Sequence, residues 1–327
     1  MEFIINKSDS LYFCNETEQE SCLVAITPSA TRMFLYMFIG SAVSISIICG
    51  NLLVITSIIY FKQLHTPTNY LILSLAVADL LLGALVLQFN MALSVNSCIY
   101  FGDLFCKMRR SFDISLMTTS ILNLCCISID RYYAVCQPLT YKTKINGRVV
   151  GIMILVIWVL ATVYGFGIMF VGLKHTVCEG RCFIFHIPNS NIVVAVVSFY
   201  LPVLVMLSIY LKILTVALKQ AQSIQSTQTG RTERVSKMER KATKTLAIVM
   251  GVFLFCWTPF FLSMTFNPLS GYSIPLPLIE MLIWLGWSNS MFNPFVYGFF
   301  YSWFRAAFKI IISGKVFTGN YSNCKLR

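Results

Sequence analysis

Apolar runs close to the roughly 20 residues that cross a bilayer as a helix recur seven times along the chain. They lie near 34–61, 68–95, 104–136, 149–172, 191–219, 240–266 and 277–300, and polar stretches separate them. After the last run, Ser302 to Ser313 sets Trp303, Phe304, Phe308 and Ile311 against Arg305 and Lys309. That is the pattern of an amphipathic helix lying on a membrane surface. The predicted fold is an all-α membrane protein, a seven-transmembrane helix bundle plus this short surface helix. The chain divides into a tail (1–33), the bundle (34–301), the amphipathic helix (302–313) and a second tail (314–327). Pro202, Pro259 and Pro294 fall inside apolar runs, where proline kinks a helix and frees a carbonyl.

Composition sharpens this picture. The chain is 57% hydrophobic and 12% charged, against about 25% charged in soluble domains. A net charge of +12 raises nucleic acid as a partner, but the charge distribution excludes it. Lys142, Lys144, Arg148, Lys237, Arg240, Lys241 and Lys244 gather between spans on one side, while Glu16, Glu18 and Glu20 lie in the N-terminal tail. The positive-inside rule then puts the N-terminus outside and the protein, multi-pass, in the plasma membrane. The sequons at Asn6 and Asn15 fall in that outer tail as glycosylation sites, whereas Asn320 falls inside. Met1 to Pro28 has no apolar core of a cleavable signal, so the first span serves as the insertion signal.

Cysteines split by compartment. Cys14, Cys22, Cys98, Cys106, Cys178 and Cys182 fall on the outer side, where disulfides persist, with connectivity open. Cys49, Cys125, Cys126, Cys136, Cys256 and Cys324 are expected as free thiols. Cys178 and Cys182 lack a second ligand pair for zinc. His65, His175 and His186 sit in loops and form no triad, so an enzyme is not expected.

The acids Asp79, Asp113 and Glu280 lie inside apolar runs. A carboxylate there costs roughly 3 kcal/mol on insertion scales and marks a cavity, a partner charge or a cation. Asp113 lies 17 residues, about 25 Å of helix, outward of Asp130. It can hold a protonated amine by a charge-assisted hydrogen bond; the alternative is an internal salt bridge to Arg109 or Arg110. Glu280 lies seven residues, about 10 Å, outward of Trp287 on one helix face. Two acids offset along one cavity suit a ligand with two cationic ends; the alternative is a solvated rim residue or a pair with Arg110. Trp257, Phe260, Phe261, Trp284 and Trp287 supply rings for cation–π contact or for ordinary packing. Ser198 is the lone hydroxyl in the outer half of the fifth span, which ranks catechols low.

Anchors occur in every span: Gly50-Asn51, Asp79, Asp130-Arg131-Tyr132, Trp158, Pro202 with Tyr210, Cys256-Trp257-Thr258-Pro259 and Asn293-Pro294-Phe295-Val296-Tyr297. Together they resemble the rhodopsin-like G-protein-coupled receptors over essentially the whole chain. The run from Asn289 to Phe304, with Ile129-Asp130-Arg131-Tyr132-Tyr133-Ala134-Val135, is similar to the trace amine-associated receptors.

The resemblance implies roles for particular residues. Asp113 matches the amine-binding aspartate, and Trp287 is level with it, where a tyrosine is common in amine receptors. Val193-Val194-Ala195 stands where some diamine receptors carry an acid, so Val194 lines the pocket without charge. Asp79, Ser120, Asn289, Ser290 and Asn293 match an internal sodium site, braced by Asn51; the alternative is a protonated Asp79 in a hydrogen-bond network. Asp130, Arg131, Tyr132, Tyr210, Glu239 and Tyr297 match the inner activation switch. Trp257, Pro202, Ile121 and Phe253 link pocket to cleft. Cys106–Cys182 matches the link from third span to outer loop, and Cys178 pairs with Cys22 or Cys14.

The implied function is a receptor for diamines or polyamines, held by Asp113 and Glu280, that raises cyclic AMP through a stimulatory G protein in an olfactory setting. Arrestin and a receptor kinase are further implied partners, and no cofactor is expected beyond the sodium ion. A monoamine receptor needs Asp113 alone. An organic cation transporter also keeps intramembrane acids, but would not explain Asp130-Arg131-Tyr132. An opsin would need a lysine where Trp287 stands.

Overall fold

The computed structural model describes residues 30–95, 103–171, 192, 195–225, 247–266, 274–317, 319, 321–324 and 326. Apolar side chains that would be buried in a soluble protein point outward along the helices: Phe38 is 77% exposed, Phe255 68% and Leu211 65%. Polar ones point inward, with Asn51, Asp79, Asn123 and Asp130 all buried. A bundle in lipid has this inside-out polarity, because hydrocarbon tolerates the first set and not the second.

The first span is Ala30–Tyr60. The second begins at Pro67–Leu81, where Thr66 caps the helix by accepting the Asn69 amide at 3.3 Å and Pro67 stands in the first turn. It continues through a π-helical turn, Leu82–Val86, into Leu87–Val95. Asp103–Cys136 is the third span and Gly147–Val171 the fourth. The fifth enters through a second π turn, Val196–Tyr200, and runs on as Leu201–Gln225. Ala247–Phe266 is the described part of the sixth; residues 240–246, expected to begin it, lie outside the described residues. The seventh is Leu276–Phe300. The first four spans and the seventh match the apolar runs to within a few residues, whereas the fifth runs six residues past its expected end.

The third span is the hub, with the second, fourth and fifth packed on it. Close approach to the fourth depends on Gly165, where a Cβ would lie 2.8 Å from the Ser111 carbonyl. Small residues at crossings let helix backbones meet in this way. The seventh span turns by 106° into Ser302–Ile312. There Phe304 and Ala307 are buried while Arg305 and Lys309 face out. Arg305 donates to the Phe299 carbonyl at 2.6 Å, satisfying an end of the seventh helix.

Two inner features have no signal in the apolar pattern. Pro138–Lys144 forms a short helix between the third and fourth spans. Beyond the surface helix, Leu326 is buried with Phe61, Leu64 and Ala307. Gln63 Oε1 accepts the Leu326 amide at 2.8 Å, and the Tyr60 hydroxyl accepts that of Tyr321 at 3.1 Å.

Candidate functional site

Near the start of the third span, Asp113 is 8% exposed. Among the described residues it has one hydrogen bond: Trp287 Nε1 donates to Oδ1 at 3.1 Å. Its Oδ2 lies 3.8 Å from Arg110 Nη1, within ion-pair reach but outside hydrogen-bond distance. Trp284 meets Trp287 edge to face with centroids 5.4 Å apart. Trp257 packs near Phe260 and Phe261, at 6.0 and 5.9 Å. Phe261 stacks on Phe199 of the fifth span at 4.4 Å. Gly286 permits this wall: a Cβ there would meet the Trp257 ring at 2.6 Å. Glu280 is half-buried on the seventh span.

At mid-membrane, Asp79 is 1% exposed and is far better supplied. Ser290 Oγ donates to Oδ1 at 2.7 Å, Asn293 Nδ2 to Oδ2 at 2.7 Å, and Ser120 Oγ to Oδ1 at 3.4 Å. Asn51 donates to the Ser290 carbonyl at 3.2 Å, which fixes the seventh span against the first. Gly50 allows that approach, because Pro294 Cγ would lie 3.0 Å from a Cβ. The Asn289 amide oxygen is buried without a hydrogen-bond partner.

At the inner end, Asp130 is enclosed by donors from three elements. Arg131 Nε reaches Oδ2 at 2.8 Å and Thr68 Oγ1 reaches the same oxygen at 2.9 Å. The Tyr141 hydroxyl donates to Oδ1 at 2.8 Å. Arg131 Nη2 also bonds Thr68. Burial, with the Asp130 carboxylate beside it, holds the Tyr141 phenol above its ordinary pKa, so it remains a proton donor here. A cavity of about 20 Å³, lined by Thr68, Ile72, Arg131, Val249, Tyr297 and Tyr301, lies beside this lock.

Residues 50–297 match the family model of the 7 transmembrane receptors of the rhodopsin family. Trace amine-associated receptor 1 of Macaca mulatta is 46% identical over 96% of this chain and 98% of its own length. The Homo sapiens receptor of that name is 44% identical, over 96% and 97%. Trace amine-associated receptor 4 of Mus musculus is 42% identical, over 98% and 96%. The chain belongs to the trace amine-associated receptors of the rhodopsin-like G-protein-coupled family. It is a multi-pass membrane receptor, and this is not an enzyme class. Receptors of the family work with a small-molecule ligand on one side and a heterotrimeric G protein on the other.

Within this receptor, the structure brings Asp113, Trp287, Trp257, Phe260 and Phe261 together toward one end of the bundle. The Ser198 hydroxyl is buried and lies 2.6 Å from that of Tyr164 on the fourth span, a hydrogen bond between helices. Val194 lies outside the described residues. Asp79, Ser120, Ser290 and Asn293 converge, and Asn289 is buried on the same helix as the last two.

Of the inner set, Asp130 and Arg131 are joined, Tyr132 packs edge to face on Tyr133, and Glu239 lies outside the described residues. Tyr210 and Tyr297 do not meet through their hydroxyls: that of Tyr210 is buried with no hydrogen-bond partner among the described residues, and Tyr297 stacks on Phe304. Ile121 and Phe253 share the buried core, and the Pro202 carbonyl faces Cys125 Sγ at 3.8 Å. The six described cysteines expected as thiols are free. Cys22, Cys178, Cys182, Asn6 and Asn15 lie outside the described residues, so both disulfide pairings and the glycosylation sites do as well.

Sequence reasoning missed Thr68, Tyr141, Tyr164 and Gly286. Thr68 opens the second apolar run and Tyr141 lies between the third and the fourth, and only the fold brings both to Asp130. Gly286, one residue before Trp287 in a helix, offered a signal: glycine inside a helix costs about 1 kcal/mol against alanine and asks for a packing reason.

Proposed function

We propose that this receptor recognises amines from outside the cell, with the ligand ammonium on Asp113, and that Glu280 extends recognition to diamines or polyamines. The reading rests above all on Asp113, a buried carboxylate with a single hydrogen bond and spare acceptor capacity beside an aromatic wall. Hydrogen bonds to charged groups contribute about 1.5–3 kcal/mol, enough to anchor a small ligand. Rings of Trp257, Trp287 and Phe260 add cation–π attraction of about 0.5–2 kcal/mol. Glu280, half-buried two turns outward on the helix of Trp287, supplies a second anionic point. A monoamine receptor that uses Asp113 alone is the competing reading.

The N-terminus faces outside the plasma membrane in this reading, because the basic loops then fall in the cytosol. Binding favours the active bundle by differential affinity for its two states, and the output is a stimulatory G protein and cyclic AMP in an olfactory setting. Arrestin and a receptor kinase complete the inner partners. Asp79, with hydroxyl and amide oxygens of Ser120, Ser290 and Asn289, has the hard donor set that suits sodium.

The test is cyclic AMP in transfected cells, titrating linear diamines and polyamines against chain-matched monoamines, with Asp113→Asn and Glu280→Gln beside wild type. Diamines are expected to act at lower concentration, and Glu280→Gln to erase that advantage. Equal potency of monoamines with no effect of Glu280→Gln makes Glu280 a rim residue. A full response in Asp113→Asn removes the amine site altogether.

A further inference from the structure

Two arginines precede Asp113 on its own helix, and neither is an ordinary membrane-edge residue. Arg109 is 5% exposed and donates to Asn90 Oδ1 on the second span. Arg110 stands one turn from Asp113, with Nη1 3.8 Å from Oδ2; the two side chains are 17% and 12% exposed. Trp287 holds the other carboxylate oxygen at 3.1 Å. Asp113 therefore keeps one oxygen fixed, while the other is faced by a cation that balances its charge without hydrogen bonding to it.

We propose that Arg110 is a tethered competitor for the ligand, a specificity-determining residue that balances the Asp113 charge until an amine replaces it. The proposal rests on the reading that Asp113 binds the ammonium. An ammonium at about 2.8 Å forms the charge-assisted bond that Arg110 at 3.8 Å does not form. It must nonetheless enter beside a like charge, which opposes the second cation. Arg110 thus sets a threshold. A monoamine that depends on Asp113 alone carries the whole penalty, whereas a diamine offsets it at Glu280. The ion pair and the amine site, alternatives on sequence grounds, are then two states of one carboxylate.

The experiment compares wild type, Arg110→Gln, Arg110→Lys and Asp113→Asn as full chains in cells, with responses to a linear monoamine and a linear diamine normalised to surface receptor. Like charges a few ångströms apart near a protein surface repel by a few kcal/mol, so Arg110→Gln is expected to lower the monoamine half-maximal concentration about tenfold. The diamine advantage should narrow, and Arg110→Lys, which keeps the charge, should stay near wild type. Arg110→Met retains the aliphatic stem and gives the same test if the glutamine variant reaches the surface poorly. Unchanged or weakened monoamine potency in both neutral variants overturns the proposal. Loss of response in Asp113→Asn with no gain from Arg110→Gln sinks the competitor alone; a normal response in Asp113→Asn sinks the amine reading beneath it.

Discussion

Asp113 and Asp79 are both buried carboxylates inside apolar helices, yet their surroundings differ in one decisive respect. Asp79 takes hydrogen bonds from Ser120, Ser290 and Asn293, the last two at 2.7 Å. Among the described residues Asp113 takes one, from Trp287, and faces Arg110 at longer range. Asp130, at the inner end, resembles Asp79 in being saturated, by Arg131, Thr68 and Tyr141. A carboxylate whose acceptor sites are filled by its own protein is a structural node. One left with capacity, near the outer end of a bundle, is where an external cation gains most. Burial alone does not separate these acids; hydrogen-bond supply does.

The sharpest way to break this contrast is Asp113→Asn. It keeps the shape and removes the charge, and truncating one member of a buried charge pair costs about 2–5 kcal/mol. Amine potency should fall about 100-fold or more in a concentration–response assay. A loss below about threefold would make Asp113 a structural node like the other two. Next in size is Trp287→Phe, which preserves an aromatic ring but deletes the donor to Oδ1. With a hydrogen bond to a charged group worth about 1.5–3 kcal/mol, amine potency should drop about tenfold at equal surface expression. A null result would mean that Asp113 is oriented by other groups.

At the saturated inner node the expected effect is smaller. Tyr141→Phe removes one of several donors to Asp130, a neutral donor worth about 1 kcal/mol. If Asp130 and Arg131 hold the resting bundle, ligand-free signalling should rise about fivefold, and amine potency should rise with it by no more than the same factor, because the amine prefers the active state. Unchanged basal signalling would leave Tyr141 as a packing residue of the inner helix.

Chain pattern and structure agree best where hydrophobic period alone decides. The spans, the proline positions and the surface helix from Ser302 follow from apolar length and amphipathicity, which a bilayer enforces on any sequence. The burial of Asp79 and Asp113 was legible for a related reason: an acid in an apolar run has to be placed against partners inside the bundle. What the pattern could not give is partner choice across helices. Ser198 reads as a pocket hydroxyl on its own helix and proves to bond Tyr164, a residue that looks like any aromatic of the fourth span. Tyr141 reads as loop and becomes a donor to Asp130 because a short helix brings it there. Leu326 reads as part of a polar tail and is buried against Phe61 and Leu64. Each depends on contacts between residues tens to hundreds of positions apart, which no local period encodes.

Asp79→Asn sharpens the comparison from the saturated side, with the smallest expected change in ligand potency. The amide keeps one oxygen for Ser120 and Ser290, so most of the network around it can persist. Its nitrogen, however, would oppose the Asn293 amide, which donates at 2.7 Å, and that contact must rearrange. Because Asp79 bonds Ser120, two helical turns or about 10 Å along the third span from Asp113, amine affinity measured without sodium should change by no more than about threefold. The negative charge that a hard cation requires is gone, so any decrease of agonist affinity caused by sodium in wild type should vanish. If amine affinity collapses in sodium-free buffer, Asp79 and Asp113 belong to one coupled site and saturation does not distinguish them. If sodium acts equally on both proteins, the mid-membrane cluster is a hydrogen-bond node and the ion binds elsewhere.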